Sequence, residues 1–136
     1  MENCIFCKII ANQVTSYVIY ENEYAIAILA KDMECFWHTI IIPKKHFENI
    51  FDIDDNYVKE LILFTKNLAL KYRDKLGATW VNLLNASGKD AQQSVPHLHF
   101  HLIPRFPDDK MDTWPKFEKY DWNHEIDLQK IREKIF

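Results

Sequence analysis

Glycine is scarce in this sequence: the 136 residues include two glycines and five prolines. Because these residue types interrupt helices and strands most strongly, their scarcity predicts that most of the chain lies in regular elements. No internal repeat or low-complexity tract divides the sequence, and its length suits one folded unit. We therefore expect a single domain over residues 1–136.

Long apolar runs and an excess of basic residues are also missing. The longest apolar stretch, around residues 40–42, has the length of a strand, whereas a membrane-spanning helix needs roughly 20 apolar residues. The N-terminus has no basic segment followed by such a run, so we expect no secretory signal. The formal net charge of −3 does not favour a surface for duplex nucleic acid. These absences predict a cytoplasmic protein that binds neither a membrane nor duplex nucleic acid.

Cysteine is limited to three residues, and an odd number without a secretory signal disfavours a disulfide framework. Cys4 and Cys7 form a C-x-x-C pattern, which alone fits either redox chemistry or metal binding. Cys35 stands apart, and we interpret it as an ordinary buried or half-buried thiol.

Hydrophobic periodicity predicts a sheet with one long helix. The predicted elements are a short helix at 5–11, strands at 17–20, 24–29 and 38–42, a long helix at 54–76, strands at 79–84 and 98–103, and a short helix from Asp127. Asp54 or Asp55 would cap the long helix, and Gly77 would end it. This pattern predicts an α+β domain on a roughly five-stranded, mostly antiparallel sheet.

The C-terminal end of the chain is rich in aromatic residues, and the sequence leaves its position in the fold open. Residues 106–136 would form a C-terminal extension of the domain. Its aromatic residues could cover a subunit interface, the cleft of a partner, or the protein's own core. They are Trp114, Phe117, Tyr120 and Trp122.

Histidine is concentrated in one short run, where His97, His99 and His101 alternate with apolar residues. In a strand, alternate side chains share a face, so the three imidazoles would point to one side and Leu98 and Phe100 to the core. Three histidines in strict alternation are improbable on a merely solvated face. Imidazole is both a common metal ligand and a nucleophile near neutral pH, so the run alone leaves both chemistries open.

A polar loop precedes the histidine run. It contains Asn85, Ser87, Gly88, Gln92, Gln93 and Ser94. Such loops supply backbone N–H groups and small hydroxyls, which suit phosphate oxygens better than a metal shell. The loop therefore favours phosphate chemistry beside the histidines, although a solvated turn explains any single member equally well.

Residues 93–103, with the sequence QSVPHLHFHLI, resemble the signature of the histidine triad (HIT) family. Three further blocks resemble the same family in the same order: CIFCKII at 4–10, HTIIIPKKH at 38–46, and the polar loop at 85–93. The similarity runs over residues 4–105. The resemblance implies an HIT-like fold and the zinc-containing subgroup of nucleotide hydrolases and nucleotidyl transferases.

The resemblance also implies a covalent mechanism. His99 would attack the α-phosphate of a nucleotide to form a nucleotidyl-histidine that water resolves, while His101 binds a non-bridging phosphate oxygen. Further polar positions implied to support or bind the substrate are His38, Asn85, Gln93 and Ser94. The base of an AMP- or GMP-type nucleotide would lie between Ile5, Phe6, Ile9, Ile28 and Leu29, which spacing alone would assign to the core. The implied substrates are purine nucleoside phosphoramidates or dinucleoside polyphosphates.

Family members with the C-x-x-C pattern bind a structural zinc, and all four implied ligands are present: Cys4, Cys7, His46 and His97. A Cys₂His₂ set fills a tetrahedral shell and leaves no open position, so this zinc would be structural. The resemblance further implies a homodimer that pairs the long helices and extends the sheet across the interface.

The sequence departs from the family pattern near the sugar. Ala30 stands where ribonucleotide-binding members usually have an aspartate, and Asp32 lies two residues further on. Trp37 and Gln92 stand where glycine is usual. Two rival hypotheses therefore accompany the enzyme: a nucleotide-binding or scaffold protein with little turnover, motivated by Ala30, and a hydrolase whose triad holds a catalytic metal.

Overall fold

The computed structural model describes residues 3–31, 35–118 and 123–135. Its elements are α1 (Ile5–Ile10), β1 (Val18–Glu21), β2 (Ala25–Leu29), β3 (Thr39–Pro43), α2 (Asp55–Leu76), β4 (Trp80–Leu84), β5 (Phe100–Arg105) and α3 (His124–Ile135). Within these ranges one antiparallel, five-stranded sheet has the order β1-β2-β3-β5-β4, which confirms the predicted α+β class. Three residues considered above, Asp32, Tyr120 and Trp122, lie outside the described ranges.

The helix α2 begins and ends as its sequence predicts. The Asp54 side chain accepts a hydrogen bond from the Tyr57 N–H at 2.8 Å, which satisfies one of the first free N–H groups of the helix. Gly77 follows the last turn with φ 75°, a left-handed conformation that glycine adopts at little steric cost. No helix among the described residues has the length and apolar character needed to cross a membrane.

The sheet has a main core under α2 and a second one under α1. The main core joins α2 to alternate residues of the central strands; its most enclosed members are Ala25, Ala27, Ile41, Leu61, Leu98 and Leu102. On the opposite face, Phe6 and Ile9 of α1 pack with Ile26, Ile28 and Ile42. This second face also carries the histidines, so α1 forms one wall of their site.

β5 begins at Phe100, two residues later than predicted. The Leu98 N–H donates to the Phe47 carbonyl at 2.7 Å, which holds the start of the histidine run against the loop after β3. The alternation is nevertheless kept, because Leu98 lies in the α2 core while His97 and His99 contact Phe6 on the other face.

The chain that follows β5 is held by a single arginine. The Arg105 guanidinium donates to both carboxylate oxygens of Asp109, each at 2.8 Å, to Asn82 Oδ1 at 2.7 Å and to Thr113 Oγ1 at 3.3 Å. It also donates to the Met111 carbonyl at 2.6 Å. We call this set the Arg105 clasp. It fixes residues 109–113 against β4 and β5.

The C-terminal helix α3 begins at His124, three residues before the predicted start. The Asn123 side chain accepts from the N–H groups of Glu125 and Ile126, both at 3.1 Å, and so caps the helix earlier than Asp127 would. The apolar residues of α3 remain about half exposed or more.

Candidate active site

His99 lies buried between Phe6 and His101, with 3% of its surface exposed. Its Nδ1 is 2.8 Å from the His97 carbonyl oxygen. Since a carbonyl only accepts, Nδ1 must carry the proton, and the lone pair of a neutral ring is then on Nε2. Burial lowers the pKa of His99, which favours this neutral form. The residue therefore has the protonation state that a nitrogen nucleophile requires.

His101 lies between His99 and His38. Its Nδ1 is 2.8 Å from His38 Nε2, and its ring centroid is 5.0 Å from that of His99. Burial, His99 and His38 together lower the pKa of His101 to about 4. With His38 as the donor, neutral His101 accepts at Nδ1 and presents an Nε2–H, which is the group that a phosphate oxygen can accept from.

Cys4, Cys7, His46 and His97 form one cluster, in which one ligand atom from each residue lies within 4.8 Å of all the others. His97 Nδ1 lies 3.4 Å from Cys4 Sγ, 3.5 Å from Cys7 Sγ and 3.2 Å from His46 Nδ1. Zn–S bonds of about 2.3 Å and Zn–N bonds of about 2.0 Å give a tetrahedron with edges of about 3.3 to 3.8 Å, close to these separations. The cluster thus fits a metal of zinc's size and ligand preference.

The tautomer of His97 also suits this cluster. Its Nε2 lies 2.9 Å from the Pro43 carbonyl, so Nε2 carries the proton and Nδ1 has the lone pair directed at the cluster. His46 follows Pro43 by three residues, at the end of β3, and Cys4 caps the helix that carries Cys7. Local chain geometry therefore pairs the two cysteines, and the tertiary fold brings His46 and His97 to them.

The polar loop is joined to the histidine run by side-chain hydrogen bonds. Asn85 Nδ2 donates to the His99 carbonyl at 2.9 Å, and Ser87 Oγ donates to Asn85 Oδ1 at 2.8 Å. Gln93 bonds three backbone groups, including the Gly88 N–H at 2.7 Å. Ser94 lies exposed at the end of the loop. Asn85, Gln93 and Ser94 thus lie on the segment that leads into the histidines.

Comparison with known proteins identifies the family. A model described as the HIT domain matches residues 11–108. The chain belongs to the HIT family. The HIT relative named Protein hit from Bacillus subtilis is 41% identical over 105 residues, 77% of this chain and 72% of that protein. The Adenosine 5'-monophosphoramidase of Saccharomyces cerevisiae is 37% identical over 102 residues, 75% of this chain and 62% of that protein.

One solved structure with the same fold contains zinc. The Zn-bound histidine triad family protein from Mycobacterium smegmatis superposes with a TM-score of 0.78 at 28% identity, covering 97% of this chain and 92% of that one. The agreement extends the HIT assignment from the sequence to the architecture.

Three of the five apolar residues expected around the base lie in one buried cluster next to His99. Phe6, Ile9 and Ile28 are buried in a single cluster, and the Phe6 ring centroid lies 5.1 Å from that of His99. Ile5 is 41% exposed and Leu29 is half-buried, so these two border solvent. The burial of Ile9 and Ile28 fits the core role that spacing alone assigns to them.

The two positions at which the family resemblance leads us to expect glycine have a backbone conformation typical of glycine. Trp37 has φ 56° and Gln92 has φ 64°, both in the left-handed region that other residues seldom adopt. Ala30 is 7% exposed, and its N–H donates to the His38 carbonyl at 2.8 Å. The position expected to face the sugar is therefore apolar, buried and directly beside His38.

Sequence reasoning missed the parts of the site built from backbone. The carbonyls of His97 and Pro43 set the tautomers of two histidines, and no side-chain motif encodes a carbonyl. The Arg105 clasp was also missed; its only signal is the four-residue spacing of Arg105 and Asp109.

Proposed function

We propose that this HIT protein is a nucleotide hydrolase or nucleotidyl transferase that acts at the α-phosphate through a covalent intermediate on His99. The observation that supports this best is the 2.8 Å contact between His99 Nδ1 and the His97 carbonyl. It leaves Nε2 of a neutral, buried imidazole as the available nucleophile. Protein-bound nucleophiles of this kind divide one difficult displacement into two easier ones.

The reaction would take place in two steps at the α-phosphorus. First, a P–N bond forms at His99 Nε2 while the bond to the leaving group breaks with its electron pair. Water then attacks phosphorus, the P–N bond breaks, and neutral His99 returns. Overall, one water supplies the proton of the departing amine or phosphate and the hydroxyl of the released nucleoside monophosphate. His101 would donate to a non-bridging oxygen, with Asn85 and Ser94 on the loop beside it.

For the substrate, we propose purine nucleoside phosphoramidates or dinucleoside polyphosphates. The name of the yeast relative, an adenosine 5'-monophosphoramidase, supports the first class. Ile5 and Leu29, which border solvent, and Phe6 beside His99 would form the apolar wall for the base, with Ile9 and Ile28 in the same buried cluster as Phe6. Because Ala30 has no group that can bond a hydroxyl, discrimination between ribose and deoxyribose should be weak.

We also propose that Cys4, Cys7, His46 and His97 hold a structural zinc. The separations between their ligand atoms support this, as does the zinc in the M. smegmatis HIT structure. Bound there, zinc would join α1 to the end of β3 and to the start of the histidine run. Four protein ligands leave no position for substrate, and His99 and His101 are not in the cluster, which disfavours a catalytic metal on the triad.

We propose a homodimer, in which β4, an edge strand of the described sheet, pairs with its copy. A single HIT domain would cover residues 1–136, with 106–136 as its extension. A reducing cytoplasm would keep Cys4 and Cys7 available as ligands.

The decisive experiment compares wild-type protein with His99→Ala on adenosine and guanosine phosphoramidates and on dinucleoside polyphosphates. Loss of the nucleophile should lower kcat by at least about a thousandfold. Wild-type protein quenched in alkaline denaturant after mixing with labelled substrate should carry a nucleotidyl group that later acid treatment releases and that His99→Ala lacks. His124→Ala, which removes an exposed histidine of α3, is the matched control.

Equal turnover by wild type and His99→Ala would sink the covalent mechanism. Wild-type protein that binds AMP but shows neither turnover nor a labelled adduct would instead favour the scaffold hypothesis motivated by Ala30.

A further inference from the structure

The Gln93 side chain is surrounded by backbone groups. Its Oε1 accepts from the Gly88 N–H at 2.7 Å, and its Nε2 donates to the carbonyls of Glu48 at 2.7 Å and Val95 at 2.8 Å. One N–H on one side and two carbonyls on the other allow only one orientation of the amide. Both N–H protons of Gln93 are therefore used within the protein.

A phosphate oxygen accepts hydrogen bonds, and the amide of Gln93 has no further proton to donate. We propose that Gln93 is a positioning residue that closes the phosphate loop, residues 88–95, and ties it to the support loop, residues 47–52. This inference rests on the proposed function, since the loop is taken to hold the substrate phosphate. Gln93 would then hold the backbone of the loop in place and would not contact the substrate.

The support loop bonds the segment around the histidines at two further points. The Phe47 carbonyl accepts from the Leu98 N–H at 2.7 Å, and the Ile50 N–H donates to Ser87 Oγ at 3.2 Å. With the bond from Gln93 to Glu48, three contacts join the support loop to Ser87 just before the phosphate loop, to Gln93 within it, and to Leu98, the residue before His99. Displacing one loop would therefore displace the other.

Hydrogen bonds between its own residues fix the shape of the support loop. The Asp52 carboxylate accepts from the N–H groups of Glu48 and Asn49, both at 2.8 Å. These bonds fix the peptide whose carbonyl receives Gln93. The support loop also begins directly after His46, so it starts at one of the proposed zinc ligands.

The phosphate loop depends on such closure because its own residues do not favour its shape. Gly88 has φ 93° and Gln92 has φ 64°, and the second of these is a conformation that non-glycine residues avoid. A strained conformation persists when surrounding contacts hold it in place. Two bonds join Gly88 and Gln93: the Gly88 N–H donates to Gln93 Oε1, and the backbone N–H of Gln93 donates to the Gly88 carbonyl at 3.1 Å. They close the turn that contains both left-handed residues, Gly88 and Gln92.

Amide hydrogen exchange in the ligand-free, zinc-loaded protein tests this role. Gln93→Ala removes the amide, and Gln93→Met removes its hydrogen bonds while keeping much of its volume. In both variants the Gly88 amide should exchange about tenfold faster or more, because it loses its acceptor. Gln13→Ala, at an exposed glutamine after α1, is the matched control and should leave exchange at Gly88 unchanged.

Activity supplies a second readout. Both Gln93 variants should lower kcat on an adenosine phosphoramidate by about tenfold, since each loosens the loop without removing a reacting group. Unchanged exchange at Gly88 together with weaker AMP binding would overturn the proposal and assign Gln93 to the phosphate. Equal acceleration of exchange throughout β3 and α2 would also overturn it, because it would report a general loss of stability. The exchange measurement needs no turnover, so its outcome is separate from failure of the proposed function.

Discussion

His97 and His99 have different tautomers because their rings donate to backbone carbonyls through different nitrogens. His97 gives its Nε2 proton to Pro43 and keeps a lone pair on Nδ1, whereas His99 gives its Nδ1 proton to His97 and keeps a lone pair on Nε2. The backbone therefore gives the proposed metal ligand and the proposed nucleophile opposite tautomers within one strand-like segment. Any change that moves the Pro43 carbonyl should disturb the cluster before it disturbs His99.

The Arg105 clasp should make the free energy of unfolding depend on pH in the acid range. Arg105 and the N–H groups of Phe106 and Met111 hold the pKa of Asp109 well below its usual range. In the unfolded chain the pKa of an aspartate is about 3.9. As the pH falls, the unfolded chain therefore binds more protons than the folded one. The stabilisation by the Asp109 carboxylate is thus complete above this pH and is lost below it.

Asp109→Asn tests that expectation. Urea unfolding from about pH 6 to pH 3 should show wild type more stable at the upper end, with the difference shrinking as the pH falls. Asp90→Asn, at an exposed position of the polar loop, serves as control. A wild-type advantage that stays constant over this range would contradict the role given to the carboxylate.

Short-range sequence signals predict where α2 begins and ends, but they do not predict where β5 begins. Asp54 and Gly77 define the ends of α2 through bonds to residues within a few positions, and such bonds can be read from a sequence. The start of β5 depends on the bond between Leu98 and Phe47, which are 51 positions apart. Likewise the triad motif predicted which side chains meet, while the partners of Gln93 are backbone atoms that no motif contains.

The edge strand β4 exposes apolar side chains that a second copy of the chain could cover. Trp80 is 80% exposed, and Val81 and Leu83 are 39% and 44% exposed, on a strand that lacks the lysine or proline with which protein edges avoid pairing. Trp80→Lys should weaken the proposed homodimer by about tenfold or more in sedimentation equilibrium. Trp114→Lys is the matched control, because Trp114 is a similarly exposed tryptophan in the tail.

A dimer that resists Trp80→Lys but dissociates with Trp114→Lys would place the interface on the tail. That result would contradict pairing through β4 and would favour the interface role considered for the tail aromatics.

For the whole molecule, the Cys₂His₂ cluster should act as a cross-link. It joins α1, the end of β3 and the start of the histidine run, which otherwise meet through a small apolar cluster. Removing the metal with a chelator should lower Tm by about 10 °C or more, because structural zinc contributes strongly to folding. Protein that stays folded at low temperature should keep most of its turnover.

Cys7→Ser should reproduce the loss of Tm, whereas Cys35→Ser, at a thiol outside the cluster, should not. Turnover that disappears at once on chelation while the fold persists would instead support the hypothesis of a catalytic metal.

The cluster also sets an order of events during biosynthesis. Cys4 and His97 are 93 positions apart, and Cys7 and His46 are 39 positions apart. At about 5 to 20 residues per second, a ribosome needs roughly 5 to 20 seconds between emergence of the two cysteines and of the last histidine. Throughout that interval the nascent thiols would lack the complete ligand set of the proposed zinc site and would stay open to oxidation and to capture of other metals.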